Sequence, residues 1–149
     1  MFKTKQIFAL ALAACVVLAH AADTSTSEPA SSWQAQAQKE IKANNYSGAI
    51  STLEAANQSN SADWNNLLGY AQRKKSPPDL AAAERFYQSA LKIDPKHRGA
   101  LEYYGELFLM KNDLAGAEQM LARLDKACVF SCEEFRDLKE AIARFKNKK

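Results

Sequence analysis

Four columns of residues recur at an interval of 34 along this chain, and they leave few folds open. Tyr46, Leu80 and Leu114 form the first column, and Ala49, Ala83 and Ala117 the second. Leu53, Tyr87 and Leu121 form the third, and Ala56, Ala90 and Leu124 the fourth. Within each copy the positions step by +3, +4 and +3, which puts them on one face of an α-helix. A helix with a single apolar stripe must bury it against a neighbour. Three such helices at a fixed interval are expected to be the second members of three stacked helix pairs.

The first members are less regular. They carry Trp33, Ala37 and Ile41, then Trp64, Leu67, Leu68 and Ala71, then Leu101, Tyr104, Gly105 and Phe108. Ala37 and Gly69 are 32 apart while Gly69 and Gly105 are 36 apart, so the middle first helix sits two residues early. The segment Lys75-Ser76-Pro77-Pro78-Asp79 absorbs the difference, because proline is excluded from a helix interior. Asp79 is placed to cap the helix that follows. Small residues at Gly69, Gly105, Ala83 and Ala117 allow close helix crossings, and Ala56 and Ala90 do so between successive pairs. Pro95 stops a helix and turns the chain.

The stretch Ala83 to Pro95, AERFYQSALKIDP, together with Leu68-Gly69 and Tyr104-Gly105, resembles the tetratricopeptide repeat family. The resemblance covers about Trp33 to Val129. It is strongest in the second and third repeats; the first has Ser61 where Pro95 stands and lacks a glycine in its first helix. It implies an all-α, right-handed solenoid of three helix pairs, over about 33–60, 62–95 and 98–128. A solenoid also needs a cap for its last apolar face. Ser131 and Glu134 have capping-box spacing and open a segment, 131–146, with Phe135, Leu138, Ile142 and Phe145 on one face. That segment is the expected C-terminal capping helix, followed by a basic tail over 147–149.

The other end has the pattern of an export signal. Lys3 and Lys5 precede an apolar run from Ile7 to Ala19, and Ala19-His20-Ala21 is an A-x-A site, so residues 1–21 are expected to be removed. The alternative is a lipoprotein signal, Leu12-Ala13-Ala14-Cys15, in which Cys15 would be acylated and anchor the chain to a membrane. Residues 22–32, rich in Ser and Thr, read as a disordered spacer. The expected compartment is the bacterial periplasm. The charge is unremarkable: 25% of residues are Asp, Glu, Lys or Arg, and the net +3 falls to +1 when Lys3 and Lys5 leave. No basic stripe precedes the tail, which argues against a nucleic-acid partner.

Chemistry-bearing residues are few. Processing removes Cys15 and leaves Cys128 and Cys132, an even count that predicts a disulfide in an oxidising compartment. The same pair leaves two alternatives open. Cys132 lies near a helix N-terminus, which favours a reactive thiolate, and two soft sulfurs suit Cu(I). His97 is the one histidine left after His20 is lost, and it reads as a solvated turn residue. No Gly-rich phosphate loop and no nucleophile positioned beside His97 are visible, so no catalytic residue, cofactor or metal is expected. The family resemblance places a concave groove on the exposed face of the first helices. Here that face comprises Asn66, Tyr70, Arg73 and Lys74, then Glu102, Glu106, Leu109 and Met110. The resemblance therefore implies a scaffold or adaptor that binds a protein or peptide partner.

Overall fold

The computed structural model describes residues 32–148. The signal segment over 1–21, with Cys15, and the spacer as far as residue 31 lie outside the described residues. Those described form seven α-helices: α1 Ser32–Lys42, α2 Tyr46–Ala56, α3 Ala62–Lys74, α4 Leu80–Ile93, α5 Arg98–Met110, α6 Leu114–Ala127 and α7 Glu133–Asn147. Helices α1 and α2, α3 and α4, and α5 and α6 pack as antiparallel pairs, and α7 lies across α5 and α6.

The repeat is written into the turns as well as the cores. Asn45, Asp79 and Asp113, each 34 after the last, cap α2, α4 and α6. Their side chains accept from the backbone N–H groups of Gly48, Ala82 and Gly116, also in register. Each bond satisfies one of the N–H groups left unpaired at a helix start. The first and third pairs turn through Asn44 and Asn112, with φ of 57° and 64°. Asparagine tolerates this left-handed conformation better than most side chains. The second pair uses the longer Ser76-Pro77-Pro78 connection instead.

The buried columns form two adjoining cores. The first joins Ala37, Leu53, Trp64 and Leu68, with the Trp64 indole donating to the Leu53 carbonyl at 2.6 Å. The second runs from Ala83 and Tyr87 through Leu101, Leu107 and Leu124 to Leu138 and Ile142 of α7. A polar chain ties α4 to α5: Gln88 donates to the Tyr104 hydroxyl, which donates to Glu84, and Glu84 also accepts from Lys111 at 2.7 Å. Lys111, then burial acting the other way, then Tyr104 set the Glu84 carboxyl, and the net effect lowers it. The outer face of α7 exposes Arg136, Lys139, Glu140 and Arg144.

The capping-box expectation for α7 is corrected. The helix is capped at Cys132, with no side-chain cap bond, and Glu134 pairs with Arg98 at 3.6 Å. The start falls one residue later than the box requires, because the backbone is still extended at Cys132.

Two close approaches depend on glycine. A Cβ on Gly69 would fall 2.6 Å from Cε1 and 2.7 Å from Cδ1 of the buried Tyr87 ring. A Cβ on Gly105 would fall 2.5 and 2.7 Å from the δ carbons of Leu138. The ring has nowhere to go, whereas terminal methyl groups can rotate aside. Gly69→Ala is therefore expected to destabilise by about 1–3 kcal/mol even after the roughly 1 kcal/mol gain in helix propensity. Gly105→Ala should fall within about 1 kcal/mol of the parent. Urea unfolding of the two variants side by side checks the order, and equal costs would contradict it.

Candidate functional site

The first helices α1, α3 and α5 stand side by side, and their free faces line one surface. At its centre is Arg73, whose side chain is 6% exposed and whose guanidinium pairs with Glu106 at 2.6 Å. The same guanidinium sits 5.5 Å from the ring centroids of both Tyr70 and Tyr103, which are 4.8 Å from each other. Lys74 lies 6.0 Å from the Tyr70 ring on the solvent side. Burial alone would lower the Arg73 pKa, but Tyr87 and Glu106 favour its charged form and the net shift is upward. Burial also holds the Tyr70 and Tyr103 hydroxyls above the usual tyrosine range. The result is a fixed aromatic platform with its cation already neutralised.

Beside it lies a cavity of about 220 Å³ between the three helices, lined by Gln38, Ile41 and Lys42 of α1, Leu67 and Tyr70 of α3, and Tyr103 of α5. Toward the cap, Leu109 and Met110 of α5 meet Ala141, Arg144, Phe145 and Lys148 around a second cavity of about 250 Å³. The Met110 sulfur also receives an Arg73 N–H at 4.0 Å.

These positions sort the expected groove residues into three groups. Tyr70, Arg73, Lys74 and Glu106 come together in one cluster. Leu109 and Met110 belong to the separate cavity at the cap. Asn66, Arg73 and Glu102 are more than nine-tenths buried, and Asn66 and Glu102 stand at the seam between α3 and α5. Gln38, Ile41, Lys42, Leu67 and Tyr103 line the site without being among the expected groove residues. The signal for most of them was the repeat offset itself: Gln38, Ile41 and Lys42 are 32 before Tyr70, Arg73 and Lys74, and Tyr103 is 36 after Leu67.

Residues 79–142 match the family model described as Tetratricopeptide repeat. That stretch belongs to the tetratricopeptide repeat family. Among solved structures, the fold is similar to that of the Yersinia enterocolitica type III secretion chaperone SycD, determined in complex with a peptide of the translocator YopD. The TM-score is 0.62 at 18% identity, over 76% of this chain and 89% of the chaperone. At that identity the likeness concerns the fold. No curated protein matches the chain in sequence.

Two further features of the protein lie away from the groove. His97 is not a solvated turn residue. Its Nδ1 accepts from the Ala100 N–H and so caps α5, and its Nε2 lies 2.9 Å from Asp63. Because Nδ1 accepts, the proton sits on Nε2 and is donated to Asp63. This histidine thus joins the starts of two first helices, 34 residues apart in sequence. At the cap, the sulfurs of Cys128 and Cys132 are at bonding distance, with Cα atoms 5.8 Å apart. Between them Val129 and Phe130 are 90% and 87% exposed. Among the described residues no group of three His, Cys, Asp or Glu could hold a metal ion, and no helix is long and apolar enough to cross a membrane.

Proposed function

We propose that this protein is an exported, non-catalytic adaptor that holds a peptide or helical segment of another protein against its concave face. The observation that carries this reading is the cavity between α1, α3 and α5, where Ile41, Leu67, Tyr70 and Tyr103 form an apolar floor beside Gln38 and Lys42. Concave, mostly apolar surfaces with a few polar groups suit an extended or helical peptide. The chaperone that shares this fold was solved with a peptide bound, which supports the same use here.

The sequence of the first 21 residues supports delivery to the periplasm. Export in turn supports an oxidised Cys128–Cys132 pair that staples α6 to the cap, worth about 2 kcal/mol for so short a loop. Intact mass of the purified protein tests these points together. The expected species starts at Ala22 and is about 2 Da lighter than the dithiol form. An acylated Cys15 would instead make the adaptor membrane-anchored, and a free thiol pair would favour redox or copper chemistry.

The binding reading is tested by a photo-crosslinking residue placed at Gln38, at Tyr70, or at Arg85 on the exposed face of α4, in the cells that make the protein. Crosslinked partner is expected from Gln38 and Tyr70 and not from Arg85. Equal yields from all three positions would overturn the assignment to the concave face.

A further inference from the structure

The seam between α3 and α5 holds polar groups that the fold does not satisfy. Glu102 is 8% exposed and has neither a hydrogen bond nor an ion pair among the described residues. Asn66 occupies the equivalent position one repeat earlier, 36 residues before. It is 7% exposed, and its Oδ1 is buried without a donor. Its carboxamide packs against Gly99, one helical turn before Glu102 on α5. Two acceptors are therefore left open along one stretch of the seam.

The charges around them are unbalanced in the same direction. The groups that act on Glu102 are Glu106 on its own helix, Asp137 and Glu134 on α7, and Arg73 on α3, with the Tyr103 hydroxyl beside it. Arg73 is already bound to Glu106, and Glu134 to Arg98. Among the described residues, Glu102 and Asp137 form no ion pair with a cation of their own. A buried carboxylate with carboxylate neighbours is costly in the free protein. It becomes favourable when a cation with several N–H donors arrives.

We propose that Glu102 and Asn66, with Asp137 and Glu106 around them, form an anionic subsite of the concave face that receives an arginine or lysine side chain of the bound partner. This rests on the adaptor reading above and adds the chemistry of the partner to it. Burial first, then Glu106, Asp137 and Glu134, push the free Glu102 carboxyl up to about 8. Binding a cation must ionise it, so capture of the basic side chain releases a proton. Affinity for a basic peptide should then rise about ten-fold from pH 7 to pH 9, a range in which arginine and lysine both stay charged.

The test uses the full chain and four pools of acetylated, amidated nine-residue peptides, random except for a central Arg, Lys, Leu or Glu. Binding is read by fluorescence anisotropy. The Arg and Lys pools are expected to bind about ten-fold more tightly than the Glu pool, and their affinity should rise with pH. Glu102→Gln, which keeps the shape, should remove both the preference and the pH dependence. Asp137→Asn, at an exposed position, should reduce the preference about two-fold to three-fold without touching the core. If all pools bind alike and Tyr70→Ala abolishes that binding, the groove reading stands and the anionic subsite is wrong. If the basic preference survives Glu102→Gln unchanged, the subsite is also wrong. If no pool binds, both readings fail.

Discussion

Tyr87→Ala is expected to cost about 3–5 kcal/mol of unfolding free energy, a large share of what a domain of this size possesses. The ring is fully buried and fills the space that Gly69 leaves open. It packs against Tyr104 with centroids 6.0 Å apart, and Tyr104 stacks in turn on Phe108 at 4.4 Å. Truncation therefore opens a void between the second and third repeats. In a solenoid each repeat contacts only its neighbours, so a lost interface is not compensated from elsewhere. The hydroxyl matters less: it is buried near Arg73 without a well-formed hydrogen bond. Tyr87→Phe should stay within about 1 kcal/mol of the parent. Urea titration followed by circular dichroism checks both, and an alanine variant as stable as the phenylalanine one would show that the ring does not hold the repeats together.

The second large effect is one of pH. Glu102 is raised from an ordinary 4.5 to about 8 in the folded chain, by burial and then by Glu106, Asp137 and Glu134. The folded state therefore holds a proton that the unfolded state gives up. Its stabilising contribution is fully present below about pH 4.5 and is lost progressively as pH rises to about 8. The loss should amount to roughly 2–4 kcal/mol, after a discount for water reaching the open side of the seam. Glu84 acts in the opposite sense. Its carboxyl is held low, so the stability it supplies is present above its unfolded value and is lost on further acidification. Stability should therefore be greatest near pH 5 and fall toward pH 8. Glu102→Gln carries no ionisable group there. It should flatten the alkaline limb and exceed the parent at pH 9 by roughly the same 2–4 kcal/mol. Denaturant midpoints measured from pH 4 to pH 9 on both proteins decide this, and parallel curves would remove Glu102 as the cause.

The architecture was readable because the residues that set it obey a period. Ala49, Ala83 and Ala117 are wholly buried at each crossing, and any larger side chain there would push a pair apart. The site was less readable because it depends on what neighbouring helices bring to each residue. Arg73 is charged and reads as solvent-facing, yet Tyr70, Tyr103 and Glu106 enclose it. Ile41 is apolar and reads as core, yet it lines the open cavity. His97 showed no partner in the sequence because Asp63 is one full repeat away, a distance that only the stacking closes. Val129 and Phe130 are apolar residues that the short loop between two cysteines leaves no room to bury.

The placement of α7 has a consequence for how this array could be lengthened. Leu138 occupies the hollow over Gly105, and the far side of the helix offers solvent mostly charged side chains, among them Arg136, Lys139, Glu140 and Arg144. A further repeat joined after Asn147 would meet this mostly charged face and not an apolar stripe to stack on. One inserted ahead of Cys128 would meet the same faces that already join the second pair to the third. The array is therefore better suited to growing from within than beyond α7.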